Sequence, residues 1–242
     1  MKQTIPAALS ALALALAAGS AHAQIVNGQF ASGLAGWTTA GDAASVATGG
    51  AHLVLTNAFS DGLDDSLTDG RNHNVSGNDP WPAVGGPGSL EDFLGLPGGA
   101  LDTSPLAQST EGSATTQVFD IVAGGTLTFQ WNFGTTETDP GLADRAFVVI
   151  DGQLITLAST LAGKTGTDFG AETGWQSFSQ ALAAGAHTIA FGVVDIGSTA
   201  DSSALSVADV TLGVSAVPES SMLALMGAGL AMLAFVRRRR SV

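Results

Sequence analysis

From Thr126 to Phe133 the chain alternates without a break: Leu127, Phe129, Trp131 and Phe133 fall on one side, Thr126, Thr128, Gln130 and Asn132 on the other. A period of two with bulky apolar residues on one side specifies a strand that buries one face and exposes the other. Such a strand needs a sheet around it and a second layer beneath it. Other segments fit the same plan. Thr115 to Val122 predicts a strand ended by the turn Ala123-Gly124-Gly125. Ala146 to Ile150 runs through Asp151-Gly152 into Gln153 to Leu157, and Asp-Gly between two apolar runs is a strong hairpin signal. Trp175 to Leu182 and Ala186 to Val194 predict two more strands, joined at Ala184-Gly185, with His187, Ile189, Phe191 and Val193 on one face. In Leu205 to Val214 the apolar phase slips at Asp209, which predicts a β-bulge there.

The front of the chain is sparser. Gln24 to Phe30, Gly36 to Thr39 and His52 to Leu55 are candidate strands. Residues 57–102 form a long excursion rich in Gly, Pro, Asn and Asp. Within it, Ser89 to Gly95 has an N-cap, early acids and a Gly stop, the signature of a short helix. With 32 glycines, 12% charged residues and no internal repeat, the chain lacks the Lys/Glu/Leu periodicity of surface helices. The fold class is therefore all-β, a single β-sandwich with jelly-roll or Greek-key connections over residues 24–214. There is no cysteine, so a hydrophobic core rather than disulfides must hold it.

Both ends are addresses rather than fold. Lys2, an apolar run from Ile5 to Ala18 and the small residues Ala21 and Ala23 read as a signal peptide over residues 1–23, cut by signal peptidase between Ala23 and Gln24. Residues 217–242 hold Val217-Pro218-Glu219-Ser220, an apolar span from Met222 to Val236, and Arg237, Arg238, Arg239 and Arg240. That span of 15 residues gives a transmembrane helix of about 22 Å against a bilayer core of about 30 Å, a marginal anchor. The arginines act as a stop-transfer block on the cytoplasmic side.

The order of Pro218-Glu219-Ser220, apolar span and arginine cluster resembles the PEP-CTERM sorting signal of Gram-negative bacteria, with Ser220 in place of the second proline. The resemblance implies export by the general secretory route, a transient hold in the inner membrane, processing by an exosortase, and release to the cell surface or exterior. It also implies a structural or adhesive role in exopolysaccharide, biofilm or floc. A second resemblance covers most of residues 24–214. Asn27-Gly28-Gln29-Phe30, Gly36-Trp37 and Ser203 to Val210 look like the bookends of jelly-roll domains related to carbohydrate-binding modules. The stretches Glu111 to Ala114, Phe129 to Phe133 and Asp144 to Val148 resemble domains recurrent in PEP-CTERM proteins.

Without its ends the chain keeps three basic residues (Arg71, Arg145, Lys164) against twenty acids, a net charge of −17. That charge repels nucleic acid and anionic lipid and admits divalent cations and neutral or cationic polymers. Two Ca²⁺ readings follow. Glu137 and Asp144 flank the loop after the Trp131 strand and supply hard oxygen ligands, although Asp139-Pro140-Gly141 is equally a plain turn. Asp209 with the Asn27 region is the other, since related jelly rolls hold a structural calcium between their two ends; here Ala31 replaces a Glu common in that motif. The acidic run Asp61, Asp64, Asp65, Asp69 fails EF-hand spacing, because counting from Asp65 places Leu67 third and Ser76 twelfth.

No catalytic residues emerge. The histidines lack zinc-protease spacing, no G-x-S-x-G is present, and no carboxylate pair stands out for glycoside hydrolysis. Trp131 and Trp175 read as core, whereas Trp81, between Pro80 and Pro82, reads as exposed and as a ligand contact. The sequence thus predicts a non-enzymatic surface or matrix protein. A carbohydrate-binding module for a defined glycan is the alternative, and a glycan hydrolase the third class.

Overall fold

The computed structural model describes residues 25–62, 72–104, 107–159, 164–165, 169–214 and Gly229. The expected signal peptide with its cleavage residues Ala21 and Ala23 lies outside the described residues. So do the sorting motif Pro218, Glu219 and Ser220, the arginines Arg237, Arg238, Arg239 and Arg240, and the acids Asp64, Asp65 and Asp69. Of the apolar tail span only Gly229 is described. No helix among the described residues is long and apolar enough to cross a membrane.

The chain runs β1 (Thr38–Ala40), β2 (Asp42–Val46), β3 (His52–Thr56), β4 (Trp81–Pro82), α1 (Leu90–Leu94), β5 (Ser109–Ile121), β6 (Gly125–Thr135) and β7 (Arg145–Ile150). It continues through β8 (Gln153–Ala158), β9 (Lys164–Thr165), β10 (Ala171–Glu172), β11 (Gln176–Leu182), β12 (Gly185–Ile196) and β13 (Ser203–Val214). The strands form two antiparallel sheets. One has the order β1-β5-β12-β7-β8, with β4 also on β5; the other has β2-β3-β13-β6-β10-β9, with β11 also on β6. The protein is an all-β, jelly-roll-like sandwich.

Local signals place the strands. The β7–β8 hairpin turns at Asp151 (φ 53°) and Gly152 (φ 77°), the left-handed pair of a type I′ turn. The β13 ladder on β6 shifts register between Ala208 and Thr211, with Asp209 at φ 53° inside the slip. Helix α1 starts on the Ser89 cap, whose hydroxyl accepts from Asp92 N, and stops at left-handed Gly95. Two expectations differ. Residues 25–30 form turns rather than a strand, because their groups fold onto one another: Phe30 N donates to Asn27 O, and the Asn27 amide to Gly33 O and Ala35 O. An unanticipated strand, β2, pairs with β3.

The main core lies between the sheets and gathers Phe30, Leu53, Leu127, Phe129, Phe133 and Phe191, all buried. A second core lies on the far side of the first sheet. There Leu90 and Leu101 of the long excursion cover Phe147, Val149, Val194 and Ile196. Buried Glu91 secures this cover by accepting Leu101 N (2.9 Å) and Gly99 N (3.0 Å). Buried Asp42 ties down the earlier part, accepting from Val75 N and from both N and Oγ of Ser76. The first sheet is thus covered on both faces around β7 and most of β12, while the end of β5 reaches water, and the second sheet keeps one face in water.

Candidate functional site: an open polar face with an exposed tryptophan

The water-facing side of the second sheet is built by alternation. With Leu127, Phe129 and Phe133 turned inward, β6 presents Thr128, Gln130 and Asn132 outward. On β11, Ser177 pairs with Gln130 and Ser179 with Thr128, so both hydroxyls share that face. On the other flank Thr211 pairs with Thr128, and their hydroxyls hydrogen-bond at 2.8 Å. The result is a strip of short polar side chains with little relief.

Two adjoining clefts of about 320 and 520 Å³ lie on this strip and share Gln29, Gln130 and Asp209. The first is bounded by Trp175 and His52, whose rings meet edge to face at 5.7 Å. His52 is oriented by Nδ1, which sits 2.7 Å from Gly50 O. Trp175 is 48% exposed, contrary to its sequence reading as core. The phase of β11 explains why. Phe178 and Leu182 point inward, so Trp175 shares the outward register of Ser177 and Ser179, a signal already present in the sequence. Trp131, by contrast, packs against the core as expected.

Asp209 owes its position to the bulge. Its backbone is left-handed, disfavoured for a residue with a Cβ; the residue lines both clefts, and its side chain takes no hydrogen bond from the described residues. The two ends of the domain do meet beside it: Val210 N donates to Gly28 O at 2.9 Å, and a Cβ on Gly28 would lie 2.0 Å from Val210 O. The Asn27 side chain, however, is engaged within its own loop.

The remaining predicted site residues lie apart. Asp144 is 1% exposed between the sheets, where its carboxylate accepts from Ser203 Oγ (2.5 Å), Asn57 Nδ2 (3.1 Å) and Ile196 N (3.1 Å). Burial lifts its pKa to about 6 against the lowering effect of these bonds. Asp195, 2% exposed, is pushed up to about 10 by burial, by the charge of and hydrogen bond with Asp144, and by the charges of Glu111 and Glu137. Two carboxyls this close and this dry share a proton at neutral pH. Sequence reasoning missed Asp195, which looks like one acid in an apolar strand. Glu137 accepts from Asp139 N, and Asp139 accepts from Gly141 N in a self-contained turn. Neither the pair Glu137 and Asp144 nor Asp209 belongs to a group of three or more Asp, Glu or His placed for a metal among the described residues. Trp81 is exposed as predicted, at 37%, with its ring edge-on to Phe93. His187 is buried and packs on Phe119.

No family profile matches the sequence, and a search among curated proteins finds no match. Among solved structures, a carbohydrate-binding module named TmCBM61, in complex with β-1,4-galactotriose, is 13% identical over 78% of this chain and 97% of its own, with a TM-score of 0.35. The K3 cleaved adhesin domain of Lys-gingipain from Porphyromonas gingivalis is 17% identical over 78% and 99%, also at 0.35. A family 35 carbohydrate-binding module from an environmental isolate is 19% identical over 58% and 91%, at 0.25. Likenesses this distant say nothing about what this chain binds.

Proposed function

We propose that this protein is an exported glycan-binding module whose site is the open face of the second sheet. The observation that carries the reading is Trp175: a large indole left half in water at the end of a polar strip, braced by His52 and followed by Gln130, Thr128 and two serines. An exposed aromatic plane beside convergent hydroxyls and amides matches a sugar ring, which has an apolar C–H face and a polar rim. Binding rather than turnover fits the acids. The close pair Asp144/Asp195 is sealed between the sheets, away from any polymer lying on the strip.

Affinity electrophoresis through gels containing the producer's own polysaccharide tests this. Trp175→Ala is expected to lose retardation, a fall of about tenfold or more in affinity as for a central aromatic contact, while its melting temperature stays near that of the parent. Unchanged retardation would remove the strip as the site. A second reading rests on exposed Trp81 beside Phe93; loss in Trp81→Ala with retention in Trp175→Ala would favour it.

The location belongs to the same proposal. The Sec-type leader ending at Ala23, the PEP-CTERM-like tail and the charge of −17 support export, a passing hold in the inner membrane, cutting by an exosortase-like enzyme near Pro218, and an adhesive role in exopolysaccharide.

A further inference from the structure

We infer that the groove selects glycans carrying free amines, with the sugar ammonium held between the Asp209 carboxylate and the Trp175 indole. This rests on the glycan-binding reading and names its ligand class. Three features support it. Asp209 is held in a left-handed conformation at the bulge, and its carboxylate makes no hydrogen bond to the described residues, which leaves its oxygens available to a ligand. Asp209 lines both clefts, Gln29 and Gln130, which line both with it, are neutral, and His52 stands on the wall of the first. Neither cleft is lined by Lys or Arg, so a uronate or sulfate group would meet Asp209 with no permanently cationic side chain to offset the repulsion. A cation there gains a charge-assisted hydrogen bond and an aromatic face at once.

A chain of net charge −13, with −17 on the part between its ends, attracts polycations everywhere, so the test must separate site from surface. Titration calorimetry on the full chain at ~0.15 M salt, where the screening length is about 8 Å, would compare three short oligosaccharides: a chitosan oligomer with free amines, the same oligomer fully N-acetylated, and a cello-oligomer. Binding of the free-amine form at least about tenfold tighter than the acetylated form is expected, the scale of a specific charged contact. Asp209→Asn, which keeps the left-handed backbone accessible, is expected to erase that preference. Asp120→Asn, removing the same charge from an exposed position on the other sheet, is expected to keep it. Equal affinities for the free and acetylated forms, or equal losses in the two variants, would overturn the inference. If the preference is absent but Trp175→Ala abolishes binding of all three, the amine selectivity fails and the glycan site stands. If none of the three binds, the amine selectivity fails, and the glycan site stands or falls on retardation by the producer's own polysaccharide.

Discussion

His187 cannot be neutral without losing a hydrogen bond, because both of its ring nitrogens face acceptors: Nδ1 lies 2.7 Å from Asp151 Oδ2 and Nε2 2.9 Å from Ala183 O. Burial lowers its pKa, but the Asp151 and Ala183 bonds and the charges of Asp151 and Asp120 win, and the net shift is upward. A raised histidine stabilises fully below the unfolded value of about 6.5 and loses that contribution as pH climbs through the folded value. Asp195 and Asp144 act in the same direction by a different route. Their protons leave the unfolded chain near pH ~4 but stay on the native state toward about 6 and about 10. Across that window the native state binds more protons, so stability falls with rising pH by up to about 1.4 kcal/mol per pH unit for each retained proton. Urea midpoints should therefore be higher at pH 5 than at pH 8. Asp195→Asn, which keeps a donor toward Asp144 and discards the titration, should flatten the slope and unfold at higher urea than the parent at pH 8. A parent protein equally stable at both pH values would contradict the shared proton.

At the level of elements, each sheet announces its environment by its pattern. Strand β6 alternates, and one of its faces is in water. Strand β7 is buried at every position and reads Arg-Ala-Phe-Val-Val-Ile; most of β12 is equally continuous. An unbroken apolar run belongs to a strand covered on both sides, so a cover for Phe147, Val149 and Val194 is implied by the sequence alone. Its identity is not. Residues 72–104 look like solvated loop because Gly, Pro, Asn and Asp dominate them, and a few scattered apolar residues, Leu90 and Leu101 the most buried of the large ones, betray the packing. The hairpin at Asp151, the bulge at Asp209 and the Ser89 cap are legible because each depends on a few adjacent residues. Trp175 is misjudged by residue type, although its phase with Ser177 and Ser179 points outward. The Asp144–Asp195 pair is invisible because it forms between the loop before β7 and β12, 51 positions apart in the chain. If the excursion is structural, Leu101→Ala should cost about 2–5 kcal/mol, the usual range for a fully buried leucine, despite lying outside any helix or strand. Chemical denaturation reads this directly. A cost under about 0.5 kcal/mol, typical of surface sites, would mean that the cover does not stay in place.

For the whole molecule, the distribution of charge and oil ties the proposed site to the proposed location. The glycan face lies on a module that keeps its basic residues few and collects twenty acids, while the tail concentrates four arginines behind fifteen apolar or small residues. Four guanidinium groups resist translocation strongly, whereas a span of about 22 Å is shorter than the ~30 Å bilayer core and anchors only weakly. In the proposed export route that pairing would halt the chain with the acidic module outside and leave an anchor suited to removal. Ending the chain after Ala216 should therefore leave export intact but abolish the membrane-bound precursor, so that pulse-labelled protein reaches the medium without passing through the envelope fraction. Replacing Arg237 to Arg240 with serine should weaken the halt while sparing Pro218-Glu219-Ser220, and the precursor should become shorter-lived. Mass spectrometry of the parent from the medium should find an N-terminus at Gln24, the bond after Ala23 having been cut, and no arginine block. Full-length chain recovered from the cytosol would break the link between tail and location. The proposed glycan face would then be separated from the exported polysaccharide it is proposed to bind.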